Sequence, residues 1–147
     1  MSTSRSPDTL TLVSATRAGG AHRAERRYQD FKIGRRRLTD LIKVGDRASV
    51  LGWLPRELER LHCRQLLLET PSALASGRVP LYLCPECADL GCGAVTVTIH
   101  RAGDLVTWSG FHHEGPIDDA TPVEPVRELR DFTFAWQAYR DALAGFR

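Results

Sequence analysis

Residues 84–113 read CPECADLGCGAVTVTIHRAGDLVTWSGFHH, and this stretch decides the fold. Its second half alternates in polarity, because Val95, Val97 and Ile99 fall on one side of an extended chain and the polar residues between them fall on the other. A turn at residues 101–104 and a returning strand at residues 105–111 complete the pattern of an antiparallel hairpin. The sequence therefore predicts a cysteine-rich knuckle that leads directly into a β-hairpin.

Three of the four cysteines of the chain lie within nine residues, at Cys84, Cys87 and Cys92. A Cys-x-x-Cys turn brings two thiolates to the same side, and Gly91 and Gly93 permit the bends that return Cys92 to them. In a reducing compartment, a close cysteine cluster is more often a metal or redox site than a disulfide. Zinc binds four nitrogen or sulfur ligands in a tetrahedron, so we predict a zinc site that needs one further ligand.

The hairpin register suggests the fourth ligand. If the turn is centred on residues 102–103, apolar residues lie opposite apolar residues, as a half-buried sheet requires, and the same ladder sets Cys92 opposite His113. A three-residue loop would bring His112 opposite instead. The predicted metal ligands are Cys84, Cys87, Cys92 and His113, with His112 as the alternative fourth ligand.

Length and composition favour one soluble domain. A chain of 147 residues can bury a single hydrophobic core, and 42% hydrophobic with 26% charged residues is ordinary for a globular protein. No apolar run is long enough to cross a bilayer, and the first residues lack the apolar core of a secretory signal, so we expect a cytoplasmic protein. We predict a flexible tail at residues 1–8 and one domain at residues 9–147.

The rest of the chain predicts an α+β fold, mainly antiparallel sheet with about three helices. Strands are expected at residues 9–15, 28–33, 80–83 and 132–134, the first two pairing as a hairpin. Helices are expected at residues 38–44, 55–69 and 135–146, from apolar spacing and from Pro55 at a first turn. Residues 114–131 are predicted to form an irregular loop. Cys63, between leucines on the second helix, is predicted to be a small buried residue.

Three blocks carry a family resemblance: residues 78–97 with the motif CPECADLGCG, residues 49–53 and residues 132–139. Together they resemble a family of small proteins from high-GC Gram-positive bacteria, some of which are labelled oxidoreductase. The resemblance extends over roughly residues 9–146. It implies a bacterial source and no established activity.

Two functions follow from the cysteines. A closed four-ligand zinc site is structural, and no set of nucleophile, base and orienting group is visible, so a non-catalytic binding or regulatory module comes first. The alternative is a metal- or thiol-dependent enzyme, oxidoreductase-like, with Glu86, Asp89 or a neighbouring histidine as acid or base. Three thiolates without a fourth protein ligand would favour the enzyme. A thioredoxin-like role is disfavoured, because the motif predicts a loop rather than a helix after Cys84.

A third function is nucleic-acid binding. Residues 1–43 hold ten Lys and Arg against four Asp and Glu, whereas residues 44–147 hold ten against fourteen. Tyr28 and Phe31 are available to stack on bases, and a basic patch would neutralise phosphates. A solvated charged surface explains the same residues. The basic residues considered are Arg17, Arg23, Arg26, Arg27, Lys32, Arg35, Arg36 and Arg37.

Overall fold

The computed structural model describes residues 6–115 and 120–147. Two helices and nine strands make up the regular structure of these ranges. The helices are α1 (Arg56–Leu66) and α2 (Trp136–Leu143). The strands, in chain order, are β1 (Leu10–Arg17), β2 (Arg26–Ile33), β3 (Arg36–Arg37), β4 (Ala48–Ser49), β5 (Val79–Leu83), β6 (Ala94–Ala102), β7 (Leu105–Glu114), β8 (Ala120–Pro122) and β9 (Phe132–Ala135).

The predicted fold class, α+β with about three helices, is wrong in its helical part. Among the described residues, 41% lie in strands or bridges and 20% in helices or 3₁₀ turns, so this part of the chain is mostly antiparallel sheet. The helix expected at residues 38–44 is only a 3₁₀ turn, Leu38–Asp40, after which Ile42 pairs with Pro125. Helices this short are marginal in water, so tertiary contacts decide their conformation. In the described ranges, no helix is long and apolar enough to cross a membrane.

The strands form two sheets. One has the order β1-β2-β3, and the predicted pairing of the first two strands as a hairpin is confirmed. The other has the order β4-β5-β6-β7-β8, with β9 also pairing with β7. Of the predicted tail, residues 1–5 lie outside the described ranges. Asp8, its last residue, forms a parallel bridge with Phe134, and its carboxylate pairs with Arg130 at 2.8 Å.

Aromatic side chains join the sheets and helices in one core. Trp108 of β7 is fully buried and meets Phe31 of β2 edge-on at 5.5 Å between ring centroids. Its Nε1 donates to the Tyr139 hydroxyl at 3.2 Å, and that hydroxyl donates to the Leu66 carbonyl at 2.6 Å. Tyr139 and Leu143 are both buried, which confirms that the apolar stripe of the last helix faces the core.

The predicted hairpin forms from β6 and β7, but the predicted register is wrong by two residues. Ala102 lies opposite Leu105, so the turn consists of Gly103 and Asp104, with Gly103 at φ +60°. A shift of two keeps every side chain on its face of the sheet, because the side-chain period of a strand is two. Polarity alternation therefore cannot distinguish the two registers.

A bulge at Gly110 shifts the ladder once more, near the knuckle. Gly110 has φ +64°, the left-handed conformation that glycine adopts at bulges. Beyond it, His113 lies opposite Val95 and His112 lies opposite Thr96. Cys92 therefore does not face His113, contrary to the predicted ladder.

Candidate metal centre

The knuckle, residues 84–93, follows β5 and consists of two successive turns. The first is closed by the Ala88 N–H, which donates to the Cys84 carbonyl at 3.0 Å, with Ala88 in the left-handed conformation at φ 58°. The second is a 3₁₀ turn, Leu90–Cys92, whose start is capped by the Asp89 carboxylate accepting from the Gly91 N–H at 2.9 Å. These turns confirm the predicted loop and point the cysteines toward one place.

The three knuckle sulfurs lie within 4.8 Å of one another, and all three are free thiols. Sγ of Cys87 and Sγ of Cys92 are 2.9 Å apart. Zinc–sulfur bonds of about 2.3 Å in a tetrahedron set sulfurs about 3.8 Å apart, so these two must separate by about 1 Å around an ion. Both side chains are exposed and can turn to do so. The donor set fits a metal ion that prefers thiolates.

Backbone hydrogen bonds favour the thiolate form of Cys84. Burial opposes ionisation of this thiol, but the backbone N–H groups of Cys87 and Glu86 interact with its sulfur, and together with the other two thiols they hold its pKa below the ordinary value. The hydrogen bond with Cys87, together with some desolvation and the neighbouring sulfurs, raises the pKa of Cys92 to about 11. Without an ion, Cys84 therefore ionises before Cys92.

Neither predicted histidine belongs to the cluster. Among residues 6–115 and 120–147, the only group of three or more His, Cys, Asp or Glu side chains close enough to hold one ion is Cys84, Cys87 and Cys92. His112 donates from Nδ1 to the Gly110 carbonyl at 2.6 Å. Burial, with the nearby Arg47 charge, lowers the pKa of His113. The register that selected His113 is wrong, and the structure brings together three of the four predicted ligands.

The far end of the first hairpin fastens the knuckle. Arg17 of β1 donates to Glu86 at 2.6 Å and to Asp46 at 2.8 Å, and its side chain is only 8% exposed. Arg26 of β2 donates from Nε to the Pro85 carbonyl at 2.7 Å. The Ala24 N–H also donates to Glu86, at 3.2 Å. Pro85 and Glu86, which lie between Cys84 and Cys87, are thus held by residues about sixty positions earlier in the chain.

The two acidic residues considered as acid or base already have partners. The hydrogen bond from Arg17 lowers the pKa of Glu86, so this carboxylate stays ionised and bonded. Asp89 caps the second turn. Neither is arranged to exchange protons with a substrate at the sulfurs.

Several residues of the basic N-terminal region take part in structural contacts. Tyr28 is 8% exposed and Phe31 is fully buried, so the predicted stacking of bases on these rings is wrong. Arg37 pairs with the buried Asp30 at 2.9 Å, and the Arg26 guanidinium lies over the Trp53 ring at 4.9 Å from its centroid.

Sequence reasoning missed the positioning role of Arg17 and Arg26, because it grouped them by charge with their neighbours. No local signal in the sequence connects Arg17 to Glu86, which is 69 positions away. Cys63 lies apart from the knuckle and is fully buried in α1, as predicted.

Comparisons of the chain with protein-family models, with curated proteins and with solved structures give no match. The resemblance to a family of high-GC Gram-positive bacteria therefore stays a prediction. The geometry of the knuckle and of its anchors carries the functional argument.

Proposed function

We propose that the chain is a zinc-binding domain in which an ion held by Cys84, Cys87 and Cys92 fixes the knuckle, and that it serves as a binding or regulatory module. The observation that carries the proposal is the convergence of three thiols within 4.8 Å in a turn whose backbone N–H groups interact with the first sulfur. Thiolate ligands select zinc, copper(I) or iron–sulfur clusters over hard cations. Zinc is the simplest occupant of a site with three sulfurs.

The anchors of the knuckle support a structural contribution from the ion. Arg17 and Arg26 connect the turn to β1 and β2, while Cys84 follows β5 and Cys92 precedes β6. An ion shared by the three cysteines therefore links two neighbouring strands of the larger sheet through a segment that the smaller sheet also holds. Metal binding to such a site stabilises the folded state directly.

The fourth coordination position distinguishes a module from an enzyme. The described residues supply three ligands, and the side chains of Cys87 and Cys92 are exposed. A water at the remaining position would be exchangeable, which is the feature of catalytic zinc, whereas a side chain from a binding partner would close the site. A water in the fourth position would favour an enzyme, which is the second candidate. Against it stand the engaged Glu86 and Asp89 carboxylates.

Elemental analysis of protein purified without a metal-affinity column tests the proposal. We expect about one zinc per chain, because three converging thiolates bind zinc tightly at neutral pH. A chain that remains metal-free after dialysis against micromolar zinc would contradict it. Alkylation of the folded protein should modify the three knuckle thiols only after a chelator is added. Cys63 is the internal control, because it is buried and should stay unmodified in both conditions.

Cobalt substitution then distinguishes the two candidates. X-ray absorption should show three sulfurs and one lighter ligand, and added imidazole should change the visible cobalt spectrum if that ligand is water. A spectrum that imidazole leaves unchanged indicates a fourth protein ligand and a closed structural site. A change with imidazole would favour the enzyme.

A further inference from the structure

A cleft lies at the opposite end of β2 from the knuckle. Its walls are the turn between β2 and β3 and the segment at residues 127–132, and it has a volume of about 340 Å³. The knuckle contacts Arg26, at the start of β2, whereas the cleft begins at Ile33, at its end. At about 3.3 Å per residue, the two sites are roughly 23 Å apart along the strand.

The floor of the cleft is apolar and the rim is basic. Ile33, Leu41 and Phe132 line the floor, and each is less than 8% exposed. Four arginines surround the opening together with two acidic residues, Asp8 and Glu128. The arginines are Arg35, Arg36, Arg127 and Arg130.

Three of these arginines are available to a ligand. Arg130 is engaged by Asp8, with contacts of 2.8 and 3.1 Å. Arg35, Arg36 and Arg127 are exposed, and none has a hydrogen-bond or ion-pair partner within the described ranges. The four arginines and two acidic residues of the rim leave a net charge of +2 around the opening, which attracts an anion.

The walls are held in place without a ligand. The Gly34 N–H donates to the Thr9 carbonyl at 2.9 Å, which fixes the turn that carries Arg35. The Asp8 N–H donates to the Thr133 carbonyl at 2.6 Å, and the Thr133 N–H donates back to the Asp8 carboxylate at 3.1 Å. Because both walls are fixed through backbone bonds to Asp8 and Thr9, the two residues before β1, little ordering is needed on binding.

We propose that this cleft binds a small organic anion, a carboxylate or phosphate carried on an apolar body. A guanidinium group matches either head group with two parallel hydrogen bonds, and the apolar floor suits the body of the molecule. The volume falls in the range of small-molecule sites. The proposal is independent of the metal at the knuckle.

Amide chemical-shift titration with phenyl phosphate and with benzoate tests the proposal. We expect saturable shifts confined to residues 33–36 and 127–132, with a Kd on the order of 1 mM for probes of this size. The tighter of the two probes identifies the head group, and either result supports the site. Inorganic phosphate, which lacks the body, and benzyl alcohol, which lacks the charge, should each bind at least about tenfold more weakly.

Matched arginine variants complete the test. The double variant Arg35→Gln, Arg127→Gln should weaken phenyl phosphate binding about tenfold, because two charge-assisted contacts are lost. Arg27→Gln removes an equally exposed arginine near the other end of β2 and should leave binding unchanged. Shifts spread over the whole surface, equal binding of inorganic phosphate, or wild-type affinity in the double variant would each overturn the proposal. All three side chains are exposed, and the same spectra verify that the variants are folded.

Discussion

The knuckle and helix α1 both place metal-binding side chains next to each other, with opposite results. In α1, His62 and Cys63 are consecutive and buried, at 3% and 0% exposure. Burial lowers the pKa of His62 to about 4 and raises the pKa of Cys63 to about 12. Both groups stay neutral at pH 7 and Cys63 donates to the Leu143 carbonyl at 3.4 Å.

The difference shows that residue type alone does not make a metal site. The knuckle sulfurs are exposed or partly exposed, converge on one point, and at Cys84 interact with backbone N–H groups that favour a thiolate. Cys63 lies beyond the first turn of α1, where the backbone N–H groups are used by helical hydrogen bonds and do not turn toward a sulfur. Backbone geometry around the sulfur therefore decides whether a cysteine packs as an apolar residue or is available to bind an ion.

The largest effect expected from this comparison is that of Cys87→Ser. The variant should lose its zinc, and at free zinc a thousandfold above the wild-type Kd it should lose about 4 kcal/mol of stabilisation. For a domain of this size, that lowers the unfolding midpoint by about 10 °C. Calorimetry and elemental analysis measure both quantities.

Cys63→Ser is the matched control, since it makes the same atomic change in α1. It should keep one zinc per chain and lower the midpoint by only a few degrees, about 1 kcal/mol for a buried hydroxyl that retains one acceptor. Equal zinc loss in both variants would mean that the knuckle is not the site.

The next largest effect is a loss of folding stability in acid, which originates in α1 and does not depend on metal. The Nδ1 atom of His62 has no hydrogen-bond partner within the described ranges, and its folded pKa of about 4 lies below the unfolded value of about 6.5. Below pH 6.5 the unfolded chain takes up a proton that the folded chain does not. Stability should therefore fall as pH drops from 6.5 toward 4, by up to about 3 kcal/mol.

Urea unfolding of chelator-treated protein between pH 7.5 and pH 4.5 measures this slope. The variant His62→Leu should flatten it, leaving the smaller contribution of His113, whose pKa is also lowered. An unchanged slope in that variant would show that the burial of His62 is not its cause.

The smallest effect concerns two non-glycine residues in the left-handed conformation, Ala88 in the knuckle and Leu68 after α1, both at φ 58°. Ala88→Gly should relieve backbone strain and, after the entropy cost of glycine, stabilise the folded state by about 0.5 kcal/mol. Zinc affinity should rise about twofold. Leu68→Gly makes the same backbone change outside the knuckle and should leave zinc affinity unaltered, which competitive zinc titration would check.

The local pattern of the chain predicted most of its strands. Alternation found β6 and β7, and the apolar stripe placed Tyr139 and Leu143 in the core. The prediction of a helix at residues 38–44 was wrong. The same apolar spacing also suits a 3₁₀ turn, after which Ile42 pairs with Pro125. Short segments carry too little intrinsic preference to choose between these conformations.

The cysteine cluster was determined by sequence alone, because two tight turns join Cys84, Cys87 and Cys92 and keep their sulfurs close together. Tertiary structure decided which residues from distant parts of the chain reach that cluster. A two-residue register shift and a bulge at Gly110 removed His113 from the cluster, while Arg17 arrived at Glu86 from the first hairpin. Turn geometry is encoded by adjacent residues, whereas strand register depends on pairings whose polarity pattern repeats every two residues.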